Sequence, residues 1–200
     1  MIKVLLIDDE KEQYDIYRII LKEDNIDLIL LEEVSSFKDI YEYILKNEIK
    51  FVLIDYKLDM KYDFKGSELI SYLNNVLPDL QCLLFTAHSP EDDLVLDRLK
   101  VEKSVLNSND HRYKEFINSI EQGAKVFENR MQNTIKEYKR LYNKKKKSKA
   151  DWERFHELYL RLVSYGYVER LPKEFFKKDN LEEKIDTLIE EIGVYLNDSH

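Results

Sequence analysis

The chain has 200 residues, of which 44% are hydrophobic, so it is long enough for one or two domains with a substantial buried core. Its formal net charge of −8 argues against broad nucleic-acid binding, because such binding depends on neutralising phosphates with basic side chains. A single cysteine, Cys82, excludes an intrachain disulfide, and no apolar run reaches the roughly 20 residues that cross a bilayer. We therefore expect a cytoplasmic protein that does not interact with membranes.

The first 120 or so residues alternate between short apolar runs and amphipathic patterns. The apolar runs predict five strands, at Ile2–Ile7, Asp27–Leu31, Phe51–Ile54, Gln81–Phe85 and Ser104–Leu106. The amphipathic patterns predict helices at Glu12–Leu21, Ser36–Leu45, Gly66–Leu77, Ser89–Leu99 and from about His111. Strands that are apolar throughout, each followed by a helix, are typical of a parallel sheet covered on both faces. The predicted fold class is α/β, a doubly wound (βα)₅ sheet of five parallel strands.

Helical spacing of apolar residues continues from Tyr113 to Lys147 and is interrupted only by Gly123. This pattern predicts one long amphipathic helix that runs beyond the sheet domain. Because its apolar stripe is longer than the core that the sheet can offer, we expect two copies of the helix to pair in a homodimer. The helix ends in the run Lys144–Lys147, and such a charge run is usually a solvated surface.

The residues after the lysine run are acidic and rich in aromatic side chains. Gly166 and Pro172 divide them into two or three predicted helices. Because this region offers no basic recognition helix, we expect it to bind a downstream protein partner rather than DNA. The predicted domains are a sheet domain at 1–122, a connecting helix at 123–150 and a helical C-terminal region at 151–200.

Acidic side chains directly follow two of the predicted strands. VLLIDDE places Asp8 and Asp9 after the first strand, FVLIDYKLD places Asp55 after the third, and the fourth is followed by Thr86. Any one of these acids alone is more often a strand-end cap or a solvated turn. The carboxyl ends of parallel strands meet at one edge of the sheet, however, where ligands bind. Three carboxylates that meet without a basic partner repel one another, and Mg²⁺ is the divalent cation that suits such a site.

These residues together resemble the receiver domain of response regulators, the CheY-like family. The resemblance is carried by the acid pair after the first strand, the single aspartate after the third, and Thr86-Ala87 after the fourth, and it covers about Met1–Gln122. It implies a phosphoacceptor in a two-component phosphorelay, whose phosphodonor is a histidine kinase or a phosphotransfer protein.

The resemblance also implies roles for individual residues. Asp55 would be the phosphoacceptor and Thr86 the switch residue that senses the phosphoryl group. Mg²⁺ would be bound directly by Asp9, through water by Asp8, and by Asp55 and the backbone carbonyl of Lys57. Apart from this self-catalysed phosphotransfer, the resemblance implies no enzymatic activity.

The sequence departs from the family at one position of the site. Receivers usually have a lysine at the end of the fifth strand that pairs with the phosphoryl group. With the fifth strand at Ser104–Leu106, Asn107 or Ser108 takes that place, and Lys100 and Lys103 precede the strand end. The pocket would then lack its usual ammonium group.

Three functions remain open at this point. The first is a phosphoaccepting regulator that acts through protein contacts or as a phosphate sink, and the acids with Thr86 favour it. The second is a phosphorylation-independent pseudo-receiver that serves as an interaction scaffold, and the missing lysine favours it. The third is a DNA-binding response regulator, which the acidic C-terminal region disfavours. A haloacid-dehalogenase-like phosphatase would need an acid two residues after Asp55, where Lys57 stands.

Overall fold

The computed structural model describes residues 1–31, 36–58, 62–87, 100–106 and 111–170. The chain divides into two compact units, Met1–Asn133 and Thr134–His200. Within the described ranges, no helix combines the length and the apolar character that crossing a membrane requires. The sequence predictions that fall outside the described residues are the helix at Ser89–Leu99, the site positions Asn107 and Ser108, the break at Pro172 and the helices expected after it.

The described residues of the first unit form one sheet of five strands, all parallel. The strands are β1 (Ile2–Ile7), β2 (Ile26–Leu30), β3 (Phe51–Ile54), β4 (Gln81–Thr86) and β5 (Lys100–Glu102). Their order across the sheet is β2-β1-β3-β4-β5, so the chain reverses its direction of winding between β1 and β3. This is the order of flavodoxin-like folds, and the predicted fold class is confirmed.

The described helices are α1 (Tyr14–Glu23), α2 (Phe37–Lys46), α3 (Gly66–Val76), α4 (Tyr113–Tyr142) and α5 (Lys149–Ser164). Because side chains alternate between the faces of a strand, each strand contributes to two apolar layers. On one face α1 and α4 share a buried cluster with the strands, which includes Val4, Leu6, Phe51, Leu53, Phe85, Leu21, Phe116 and Ile120. On the other side, α2 contacts α3, and α3 contacts β4. The helices therefore cover both faces of the sheet.

The predicted fifth strand is wrong. β5 lies at Lys100–Glu102, where Val101 is in register with Phe85 of β4, and Lys103–Leu106 forms a 3₁₀ turn. The apolar pair Val105-Leu106 is buried, as expected for a strand, but it reaches the core from this turn. The true strand has only three residues and lies at the sheet edge, so it shows neither an apolar run nor a measurable alternation.

Gly123 marks the point where α4 comes closest to the sheet. A Cβ atom at this position would lie 2.6 Å from Cε2 of Phe51 and 2.7 Å from Oε1 of Gln81. Phe51 is fully buried, so its ring has no room to retreat. The glycine that the sequence shows as a weak point of the helix is therefore required by packing.

The long helix ends at Tyr142, five residues before the predicted end at Lys147. The ammonium group of Lys147 folds back on the end of α4 and donates hydrogen bonds to the carbonyl oxygens of Tyr142 at 3.1 Å and Lys144 at 3.0 Å. It also lies 4.8 Å from the centre of the Trp152 ring, within the range of a cation–π contact. The lysine run is thus partly a structural turn, and not simply a solvated surface.

Within the second unit, α5 packs against the C-terminal half of α4. The rings of Tyr138 and Phe155 stack at 4.7 Å, and Arg154 forms two hydrogen bonds to the carboxylate of Glu137, at 2.7 and 3.2 Å. A capping box begins α5, in which Ser148 and Asp151 satisfy each other's backbone N–H groups. The described part of this unit, up to residue 170, is a helical hairpin with its own apolar contacts.

Replacing Gly123 with alanine tests the close packing of α4 on β3. Alanine improves helix propensity by up to about 1 kcal/mol, whereas forcing a methyl group into a packed interface costs about 1–3 kcal/mol. We expect Gly123→Ala to lower the free energy of unfolding by about 1–2 kcal/mol in urea titrations. Gln122→Ala, at the neighbouring exposed position, is the control and should change stability little. A Gly123→Ala variant more stable than the parent would contradict the packing described.

Candidate functional site

Four strands of the sheet end at one edge, and each delivers a polar side chain there. Asp8 follows β1, Asp55 follows β3, Thr86 closes β4 and Lys103 follows β5. Because β1, β3, β4 and β5 are neighbours in this order, the four residues lie along consecutive strand ends. The pocket lies at the change in winding direction, where open α/β sheets bind their ligands.

The ammonium group of Lys103 lies between two buried carboxylates. Its Nζ atom is 2.7 Å from Oδ2 of Asp8 and 3.2 Å from Oδ2 of Asp55. The other oxygen of Asp8 accepts a hydrogen bond from the N–H of Glu10 at 3.0 Å. The other oxygen of Asp55 accepts one from the N–H of Tyr56 at 2.7 Å. All four carboxylate oxygens therefore have donors, which is what makes burying two charged groups tolerable.

The contact between Asp8 and Lys103 affects the pKa values of both groups. Burial raises the pKa of the Asp8 carboxyl, and the hydrogen bond and charge of Lys103 offset only part of that effect. Burial also lowers the pKa of the Lys103 ammonium, but the hydrogen bond and charge of Asp8, with the charge of Asp55, outweigh it. The net result is a raised pKa for Lys103, so the ammonium form persists throughout the neutral range.

Asp9 joins Asp8 and Asp55 to form a group of three carboxylates. One oxygen from each residue lies within 4.8 Å of the others, and Asp9 is more exposed than the other two. Among the described residues, the group brings three carboxylates together beside the one ammonium of Lys103. Carboxylate oxygens are the ligands that hard divalent cations prefer, so the residues present fit Mg²⁺.

The structure corrects the expectation that the pocket lacks a basic group. Lys103 takes the position for which the sequence offered Asn107 or Ser108, because β5 ends two residues before the start of the strand that was predicted. Val101 between two charged residues was the only sequence signal for the true strand. Three residues are too few for alternation to be recognised.

Two further predicted site residues lie at the same edge. Thr86 is 1% exposed and is in register with Glu102, the residue before Lys103. Lys57 lies two residues after Asp55 in the loop that follows β3, with its side chain exposed. The proposed roles of the Thr86 hydroxyl and the Lys57 carbonyl stay predictions.

Gly66, the first residue of α3, allows the helix to approach the backbone of Asp55. A Cβ atom at Gly66 would lie only 2.0 Å from the carbonyl oxygen of Asp55. The Gly66 N–H also donates a hydrogen bond to the carbonyl oxygen of Tyr56 at 3.2 Å. The start of α3 thus fixes the backbone that carries Asp55. The sequence marked Gly66 only as the start of a helix.

Two buried tyrosines lie within electrostatic reach of the pocket. Burial raises the pKa of Tyr62, and the charges of Asp9 and Asp8 raise it further. Burial likewise raises the pKa of Tyr17, and the charge of Lys103 partly offsets that rise. Sequence reasoning missed both, because a tyrosine in a helical pattern or a loop carries no signal of a nearby site.

The chain is similar to solved structures of receiver domains. The signal receiver domain of a putative LuxO repressor protein from Vibrio parahaemolyticus is 22% identical, with 62% of this chain and 92% of that chain covered and a TM-score of 0.46. The response regulator TrrA from Thermotoga maritima in complex with Mg²⁺-BeF is 18% identical, with 60% and 99% covered and a TM-score of 0.48.

A structure of the histidine kinase ThkA in complex with TrrA is matched at 19% identity, with 60% and 98% covered and a TM-score of 0.47. No protein-family model matches the chain, and no curated protein matches it. At these levels of identity the similarity concerns the fold. The chain is similar in architecture to response-regulator receiver domains.

Replacing Lys103 with methionine tests the role of the ammonium group in the pocket. The change leaves two buried carboxylates without their shared partner, so we expect the free energy of unfolding at pH 7 to fall by about 3–5 kcal/mol. Burial already raises the folded-state pKa of the Asp8 carboxyl, and without the ammonium this pKa rises further above its unfolded value. Protonation then favours the folded state, and the loss of stability should shrink as the pH falls towards the ordinary Asp value of 3.8.

Urea titrations of the parent and of Lys103→Met across this pH range measure both effects. Lys38→Met is the control, because the Lys38 side chain is 79% exposed and its described ion pair is with Glu42 on the same helix. A loss of stability no larger than that of the control at pH 7 would contradict the ion-pair geometry.

Proposed function

We propose that the sheet domain accepts a phosphoryl group on Asp55 and acts as a regulator in a two-component phosphorelay. The observation that carries the proposal is the cluster of Asp8, Asp9 and Asp55 around the ammonium group of Lys103. A buried carboxylate beside a cation and two further acids is suited to receiving a phosphoryl group. The stability of the fold alone does not require such a cluster, because apolar side chains at the same strand ends would be easier to bury.

Asp55 is the nucleophile in this proposal. One of its oxygens forms a bond to the phosphorus of a phosphohistidine, while the P–N bond breaks and its electron pair leaves with the imidazole. The N–H of Tyr56 and the ammonium of Lys103 hold the carboxylate in a fixed orientation before transfer. This fixed orientation lowers the entropic cost of the reaction.

In this proposal, Lys103 and Thr86 contact the transferred phosphoryl group. The ammonium already lies against Oδ2 of Asp55, so it is positioned to neutralise the phosphoryl oxygens of the product. Thr86, buried at the end of the neighbouring strand, would donate its hydroxyl hydrogen to one of them. The change in contacts at these two residues is how the proposed switch would begin.

The grouping of three carboxylates beside one ammonium is the reason to include a metal. Asp8, Asp9, Asp55 and the backbone carbonyl of Lys57 would hold Mg²⁺. When bound, Mg²⁺ supplies neutralisation of the phosphoryl oxygens and alignment of the donor. Within the protein, the backbone N–H of Glu10 keeps Asp8 in position.

The partners proposed for the chain are proteins. The upstream partner is a histidine kinase or a phosphotransfer protein, and the helical C-terminal region binds a downstream protein. Two of the four lysines in the basic run serve the turn before α5, Lys144 through Asp151 and Lys147 through the end of α4. This use leaves less basic surface for DNA than the sequence suggested.

Incubating the chain with acetyl phosphate and Mg²⁺ tests the function directly. We expect intact-mass analysis to show a gain of one phosphoryl group in the parent and none in Asp55→Asn. Lys103→Ala should slow the uptake by roughly 10- to 100-fold, because charge-assisted hydrogen bonds contribute about 1.5–3 kcal/mol. Asp63→Asn, at an exposed position of the loop that follows Asp55, is the matched control and should behave as the parent.

An adduct retained in Asp55→Asn would place the chemistry elsewhere. If the parent gains no adduct, the proposed function fails, and calorimetry then shows whether the pocket still binds Mg²⁺. The phosphorylation-independent pseudo-receiver would then be the better account of the pocket.

We also propose that two chains form a homodimer through α4, although less of its apolar stripe is available for pairing than the sequence suggested. Part of the apolar stripe is covered within the chain, since Tyr138 stacks on Phe155. We expect light scattering at micromolar concentrations to give a mass above that of one 24.2 kDa chain. A constant monomer mass across the concentration range would overturn this proposal.

A further inference from the structure

Arg112 binds the turn that carries Lys103, on the side of the turn that faces solvent. Nη1 of Arg112 lies 3.1 Å from Oε2 of Glu102, and its Nη2 lies 3.2 Å from Oγ of Ser104. The hydroxyl of Ser104 in turn donates to Oε2 of Glu102 at 3.2 Å. One guanidinium group therefore binds both chain neighbours of Lys103.

Lys103 needs such support because its strand provides little. β5 has three residues and, among the described strands, one neighbour, β4. The Lys103 side chain is long and flexible, yet its ammonium must reach two carboxylates at once. A planar guanidinium that binds two groups at fixed positions restrains the intervening backbone better than a flexible ammonium could.

The exposure of these side chains indicates that Arg112 affects the position of Lys103 more than it affects the stability of the fold. The Lys103 side chain is 9% exposed, whereas those of Arg112 and Glu102 are 41% and 48% exposed. Hydrogen bonds from Arg112 and Ser104 lower the pKa of Glu102, so its carboxylate is ionised at neutral pH. Exposed ion pairs contribute little to folding stability. The expected effect of this arginine is therefore on where Lys103 points, with the fold itself little changed.

We propose that Arg112, acting through Glu102 and Ser104, is a positioning residue that holds the ammonium of Lys103 in the carboxylate pocket. This inference rests on the proposed function insofar as Lys103 contacts the phosphoryl group. The location of Lys103 itself is open to test without any phosphorylation.

The first experiment measures how accessible the Lys103 amine is. The full chain, free of Mg²⁺, is treated briefly with an amine-acetylating reagent, and acetylation at each lysine is quantified by peptide mass spectrometry. We expect Lys103 to react more slowly than the exposed Lys38 in the parent. In Arg112→Ala it should react about tenfold faster than in the parent, in line with the loss of charge-assisted hydrogen bonds.

Two variants make this result specific. Arg154→Ala also removes a paired arginine with a 41% exposed side chain, but from the second unit, and should leave Lys103 labelling unchanged. Arg112→Lys keeps the charge and loses the planar fork, so it should restore protection only in part. Labelling of Lys103 in Arg112→Ala at the parent rate would overturn the proposal.

The second experiment is a double-mutant cycle on the rate of phosphoryl uptake from acetyl phosphate. Arg112→Ala should slow uptake by about three- to tenfold in the parent background, and should have no further effect when combined with Lys103→Ala. Additive effects would overturn the proposal, because they would show that Arg112 does not act through Lys103. If the parent takes up no phosphoryl group, the proposed function fails, and the labelling experiment alone decides whether Arg112 positions Lys103.

Discussion

The pairing of one ammonium group with two buried carboxylates is the interaction on which the site depends. Asp8 and Asp55 end adjacent strands, and without Lys103 their charges would repel inside the protein. The lysine is delivered by the edge strand, two strands away from Asp55, so the whole width of the sheet from β1 to β5 is needed to assemble the pocket. The order of the strands therefore determines which charged side chains meet in the pocket.

Close backbone approaches fix this pocket in the sheet domain. The glycine at the start of α3 lets that helix sit against the carbonyl of Asp55, and Gly123 lets α4 sit against Phe51 of the same strand. β3 is thus clamped near both of its ends by helices on opposite faces. The carboxylate of Asp55 is displayed by a strand that has little freedom to move, which suits the role of nucleophile proposed for it.

The sequence was most informative where strands are buried on both faces. β1 and β3 have the predicted bounds because an unbroken apolar run ending in an acid has few other interpretations. The same reasoning placed Asp8, Asp9 and Asp55 together.

The sequence pattern did not predict the strand at the sheet edge. This strand, which precedes Lys103, is too short to show a pattern. The end of α4 was also missed, because the contacts of Lys147 that terminate it depend on where Trp152 lies in space. The pattern of apolar residues predicts buried contacts well. It says little about polar contacts between segments distant in sequence.

The shared lysine gives the pocket a counter-ion of its own. A carboxylate cluster without one would depend on dissolved cations to offset its repulsion, and its folded state would vary with their supply. Here Lys103 already neutralises part of the charge, and it does so through an ammonium that is covalently tethered and always present. The two buried carboxylates therefore have a positive partner whatever the cation concentration of the solution.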